Sequence, residues 1–154
     1  MNTEPMPRLW RFAHGWLVPA PVEDVYAVCA AVDDYPTWWR EIRSIQRVDG
    51  GSGEARVRSV LPYTLRLLIT REIEDPATGR LRVRLERDLT GWAEFRISEG
   101  VNAGAAVAFR QEVEITARGL RHVAPALAPL LRANHTWMMR SCERGMVGAV
   151  RGGA

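Results

Sequence analysis

Three periodicities succeed one another along the chain. From Leu9 to Val18 the sequence is rich in Trp, Phe and Leu without helical spacing, which predicts a first strand ended by Pro19 and Pro21. Pro21-Val22-Glu23-Asp24 then has the make-up of a helix start, with proline near the first turn and acids at the positive end of the macrodipole. Val22, Val25, Tyr26, Cys29 and Val32 recur at helical spacing, so this helix buries one face. Asp33-Asp34-Tyr35-Pro36 restarts the chain as a second short helix carrying Trp38, Trp39 and Ile42, and Gly50-Gly51-Ser52-Gly53 is a turn.

Period two takes over from Ala55. Apolar positions such as Leu65, Leu67 and Ile69, or Leu81, Val83 and Leu85, alternate with arginines and glutamates as far as Ile115, and Asp75–Gly79 and Thr90-Gly91 read as turns. Four or five such runs predict an antiparallel meander with one apolar face and one face of cross-strand Arg/Glu pairs. Beyond Gly119 the helical period returns. Leu120, Leu127, Leu131, Met138, Cys142 and Gly145 fall on one side, flanked by Val123, Asn134, His135 and Ser141, in a helix ending near Gly148 whose first turn Pro125 and Pro129 break. The expected fold is α+β: a curved antiparallel sheet wrapped around a long C-terminal helix, with two short helices after the first strand. Residues 9–150 form one domain on this reading, between a flexible N-terminus (1–8) and a flexible tail (151–154).

Composition narrows the chemistry. All 21 basic side chains are arginines, which excludes Schiff-base and phosphate-loop lysine mechanisms. The net charge of +3 is spread among interleaved acids, so no nucleic-acid partner is expected. Cys29 and Cys142 stand far apart without a metal-ligand pattern, so no disulfide, metal or other cofactor is expected, and a cytoplasmic location fits. No apolar run suggests a signal peptide or a transmembrane segment.

Several segments together resemble one superfamily. They are Val18-Pro19-Ala20-Pro21-Val22-Glu23-Asp24-Val25-Tyr26, Asp33-Asp34-Tyr35-Pro36-Thr37-Trp38-Trp39, Leu61-Pro62-Tyr63-Thr64-Leu65, Asp88-Leu89-Thr90-Gly91-Trp92, and Leu130 through Met139. Over about residues 9–150 the chain resembles the START-like (SRPBCC, helix-grip) superfamily, and most of all its polyketide cyclase/dehydrase branch. The resemblance implies a deep, mostly apolar cavity between sheet and long helix that holds a hydrophobic small molecule. Six tryptophans in 154 residues agree with broad apolar contact.

Candidate site residues follow from phase. Arg71 and Arg87 fall on the apolar phase of their strands, where a buried guanidinium needs a partner. Arg87 at a strand end reads as reaching solvent, whereas for Arg71 an inward position and an outward one beyond a bulge both stand. Gln111, on an apolar phase, would orient a ligand carbonyl or bond within the core. Asn134 and His135 would meet a ligand oxygen or fix the helix, while His14 and His122 read as surface residues without a convergent partner. Trp38 and Trp39 would form a lid, though one of them reads as core packing; Tyr35 and Tyr63 would donate phenolic hydrogen bonds or cap an element.

The leading expectation is a ligand-binding or carrier protein for a polyketide, isoprenoid or lipid-like molecule. Arg71, Gln111 and Asn134 would touch its polar end, with Tyr35, Trp38, Trp39, Phe95, Leu131 and Met138 enclosing the rest. The alternative is a polyketide aromatase/cyclase or dehydratase, with His135 as proton shuttle and Tyr63 and Arg71 polarising carbonyls. A third class, a partner-binding module, rests on Trp38 and Trp39 alone. A monomer or a homodimer fits each of these.

Overall fold

The computed structural model describes residues 9–152. β1 (Leu9–Val18) leads through α1 (Val22–Ala30), a 3₁₀ turn (Val32–Asp34) and α2 (Tyr35–Trp38) into six further strands. These are β2 (Ile42–Arg47), β3 (Ser52–Val57), β4 (Leu65–Asp75), β5 (Arg80–Arg87), β6 (Leu89–Glu99) and β7 (Ala105–Ile115). α3 (Leu120–Val123) and α4 (Ala128–Gly152) complete the described chain. All seven strands are antiparallel neighbours in the order β1-β7-β6-β5-β4-β3-β2. The two short helices therefore carry the chain from one sheet edge to the other, and α4 packs against α1, α2 and β1. This is the helix-grip arrangement.

The core forms where the periodicities meet. Trp10, Trp16 and Val18 on alternate β1 positions are buried, as are Val25 and Cys29 of α1 and Leu131, Met139, Cys142 and Met146 of α4. Each such apolar side chain contributes about 1.5–3 kcal/mol on burial. α4 can approach α2 closely because position 145 is glycine: a Cβ there would stand 1.8 Å from the Trp38 carbonyl oxygen.

Several boundaries differ from the sequence expectation. The second helix stops at Trp38, and Ile42 opens β2, an edge strand whose mixed pattern IRSIQR hid it. The turn expected at Thr90-Gly91 lies earlier, at Arg87-Asp88 between β5 and β6. Arg87 takes a positive φ of 85°, and the Asp88 carboxylate accepts from Arg66 N–H at 2.7 Å. Gly91 instead lies within β6, where a Cβ would meet the Glu112 carbonyl oxygen at 2.0 Å. Thus the glycine marks close strand approach and not a turn. Leu127, expected inward, falls between the two proline-separated helices and is 39% exposed. The last helix runs on through Arg151 and Gly152. The flexibility expected of residues 1–8, 153 and 154 lies outside the described residues.

Candidate functional site

Between the concave sheet face and α4 lies a cavity of about 190 Å³ with an almost wholly apolar wall. Strand phase builds it: Leu67 and Ile69 of β4, Val83 and Leu85 of β5, and Ala93 and Phe95 of β6 all line it. Leu131, Met138 and Met139 of α4 roof it, and Trp39 closes one side. At this size the space suits a one- or two-ring molecule, since an apolar cavity of about 150 Å³ takes benzene.

One polar pole sits where β1 and β7 face α4. β1 pairs with β7 so that Phe12 lies opposite Gln111 and His14 opposite Phe109. The His135 ring of α4 stacks on Phe12 at 3.7 Å and lies 5.4 Å from His14. His135 Nε2 donates to Gln111 Oε1 at 2.8 Å, because an amide oxygen can only accept. Nδ1 is left buried without a partner. Burial above all, with the His14 and Arg132 charges adding to it, pushes the His135 pKa down to about 3. The imidazole is thus neutral near pH 7 and poorly matched to proton transfer there. Asn134 also faces the cavity, donating weakly to Met138 Sδ at 3.8 Å, and its Oδ1 is buried without a partner.

A different set occupies the β4 side. Arg71 lines the cavity, yet its side chain is 40% exposed. The guanidinium pairs with Glu74 at 2.8 Å and donates to the Ala30 carbonyl at the end of α1 at 3.3 Å. The register does shift between Arg71 and Ile73, as a bulge requires, but both residues stay on the cavity wall. Arg71 is therefore a rim cation. Arg87 reaches the surface, where it pairs with Glu54 at 2.8 Å. Tyr63 lines the wall half-buried, and desolvation raises its phenol pKa, so the hydroxyl keeps its proton at neutral pH.

Two sequence-predicted residues are committed elsewhere. The Tyr35 ring lines the cavity, but its hydroxyl donates to the Cys29 carbonyl at 2.5 Å and so ties α2 to α1. Trp38 is not on the cavity wall. It stacks on Trp39 at 6.0 Å and packs against α4 beside Gly145, whereas Trp39 lines the cavity and donates Nε1–H to the Met138 carbonyl at 3.2 Å. The expected lid pair is corrected to one wall residue and one packing residue. The remaining predicted residues, Phe95, Gln111, Leu131, Asn134, His135 and Met138, all line the cavity.

Sequence reasoning missed His14, which it placed on the surface. The signal was present: Trp10, Phe12, His14, Trp16 and Val18 share one strand phase, and Trp10, Trp16 and Val18 are buried. Cys29 touches the cavity as well, but burial raises its thiol pKa to about 12, which leaves it inert. Among the described residues no three His, Cys, Asp or Glu side chains gather as a metal site, and no helix is long and apolar enough to cross a membrane.

Residues 18–120 match the family model described as polyketide cyclase / dehydrase and lipid transport. No curated protein sequence matches the chain. The fold is similar to that of a protein from Thermus thermophilus, at a TM-score of 0.78 and 18% identity, covering 94% of this chain and 99% of the other. An aromatase/cyclase from a Streptomyces species superposes at 0.74 and 16% identity, covering 94% of each chain. A START superfamily protein from Mycobacterium smegmatis superposes at 0.71 and 13% identity, covering 94% and 99%. At such identities the structural likeness establishes the fold alone.

Proposed function

Since the chain belongs to the polyketide cyclase/dehydrase and lipid transport family, we propose that it binds a hydrophobic small molecule of polyketide, isoprenoid or lipid-like character in the cavity under α4, acting as a cytoplasmic ligand-binding or carrier protein. The observation that carries this reading is an apolar cavity whose polar groups are mostly engaged with the protein itself. His135 is spent on Gln111, Tyr35 on Cys29 and Arg71 on Glu74. Such a wall favours shape and apolar area over specific polar recognition. Phe95, Leu131, Met138 and Trp39 would enclose the ligand body. Its polar end would lie towards Arg71 and Tyr63, within reach of Asn134. A volume near 190 Å³ admits a compact ring system, so a long chain would have to displace α4 or leave through the rim.

Native mass spectrometry and solvent extraction of the purified protein test the reading. Stoichiometric retention of an apolar compound, or competition by a panel of small aromatic polyketides and isoprenoids for a naphthalene-based probe, is expected. A protein that retains nothing and binds no probe from the panel would refute it.

A second reading, polyketide cyclisation or dehydration, draws on one observation: Tyr63 keeps its phenolic proton on the wall of the same cavity as the Arg71 cation. The two would polarise carbonyls while the wall folds the chain. His135, buried and neutral, serves this reading poorly as a base. Turnover of a model polyketide that vanishes in Tyr63→Phe and falls in Arg71→Ala would support it, and turnover untouched by both would end it.

A further inference from the structure

Seven arginines, all on strands, form ion pairs among the described residues, whereas no arginine of the C-terminal helices does. Examples are Arg11–Glu112, Arg80–Glu94 and Arg87–Glu54. Residues 118–152 carry Arg118, Arg121, Arg132, Arg140, Arg144 and Arg151 against a single acid, Glu143. None of these arginines is ion-paired among the described residues.

Three of the six share a face with apolar residues. At about 100° per residue, Leu130, Ala133, Trp137, Arg140, Arg144 and Arg151 fall within a sector of roughly 80°, opposite the buried stripe of Leu131, Met139, Cys142 and Met146. Leu130 and Trp137 are each 50% exposed, and the preceding joint exposes Val123 and Leu127 as well, at 48% and 39%. The face is convex, about 30 Å long at 1.5 Å per residue, and contains no acid. Large apolar side chains beside unpaired cations match a surface that offers negative charge outside and hydrocarbon just beneath. Arginine stems can snorkel while Trp137 sits at the boundary.

We propose that the outer face of α4 docks on an anionic lipid bilayer. Charge complementarity selects anionic headgroups, and exposed Leu130 and Trp137 beside the cations select the hydrocarbon boundary of a bilayer over a purely acidic protein surface. The same helix roofs the cavity with its inner face, so docking would bring the roof to the hydrocarbon in which an apolar molecule dissolves. The docking itself depends only on the helix and stands or falls apart from the ligand reading.

Co-sedimentation of the full chain with vesicles of phosphatidylcholine, with or without phosphatidylglycerol, tests it. Retention on the anionic vesicles alone is expected, weakening steeply with added salt. At about fivefold per arginine near such a surface, Arg140→Gln with Arg144→Gln should weaken partition roughly 25-fold. Leu130→Ser with Trp137→Ser should weaken it about tenfold. Arg96→Gln with Arg110→Gln, on the exposed outer sheet, removes the same charge and should change it less than about twofold. All three variants alter exposed positions and should melt with the unmodified protein. Equal retention on neutral vesicles, no retention at all, or an equal loss in the sheet variant would each overturn the proposal. So would capture by a soluble polyglutamate in place of vesicles, which would assign the face to an acidic protein.

Discussion

The two sides of the cavity use polar residues in opposite ways. At the β1–β7 side, the His135 ring is packed against Phe12, Phe109 and His14, and its Nε2–H is spent on Gln111 Oε1. At β4, three strands beyond β7, Arg71 keeps two-fifths of its side chain in solvent and shares its charge with Glu74. The first side is a structural pin that holds α4 against the sheet; the second is a rim that, on the proposed reading, would leave a ligand's polar end hydrated. Burial separates them, because a neutral ring under α4 costs less than an ion there, whereas a guanidinium at the surface costs little.

The sharpest way to break this contrast is to unmake the pin. His135→Ala removes the stacked ring and leaves the Gln111 amide without its partner, so a loss of about 2–4 kcal/mol is expected. In a chain of this size that lowers Tm by roughly 5–15 °C, readable by differential scanning calorimetry. His135→Phe with Gln111→Met replaces both partners by apolar groups and should recover most of the loss, as a structural pin requires and a catalytic pair does not.

Acid should undo the same side. The folded-state pKa of His135, about 3, lies below the ordinary value of 6.5, so unfolding takes up a proton. Its contribution to stability is complete above pH 6.5 and is lost as pH falls towards 3, at a slope of up to about 1.4 kcal/mol per pH unit. Denaturant melts of the unmodified chain and of the Phe/Met double variant should diverge in slope over that window. Parallel slopes would show that His135 is not the buried neutral ring described.

At the rim the effects should be smaller. Arg71→Ala removes a partly exposed ion pair, so stability should change by less than about 1 kcal/mol. Binding of an anionic naphthalene-based probe should weaken several-fold while that of its uncharged analogue hardly moves. An equal loss for both probes would mean that Arg71 acts through packing and not through charge.

Much of this was legible in the sequence, and for identifiable reasons. The alternating runs from Ala55 to Ile115 carry their own inside and outside, so the meander and the cavity-facing phase of Leu67, Phe95 and Gln111 could be read directly. Pro125 and Pro129 announced the break before α4. The rest depended on tertiary partners. β2 is polar on an edge, Gly91 is needed for strand approach and not for a turn, and Trp38 faces α4 because Gly145 makes room for it. His14 shares the strand phase of buried Trp10 and Trp16, a sign present in the sequence; only the second histidine, which the helix brings beside it, depended on the fold.

The central claim is that the cavity, and not the surface, takes the apolar ligand. Ala93 stands on its wall between Val83 and Gln111, so Ala93→Phe places a ring in the space with no change of charge. Titrating one uncharged naphthalene-based probe into both proteins by calorimetry decides the matter. Binding by the unmodified protein that weakens at least about tenfold in the folded Ala93→Phe variant is the predicted result, since overpacking an occupied site excludes its guest. Equal binding by the two proteins would contradict it.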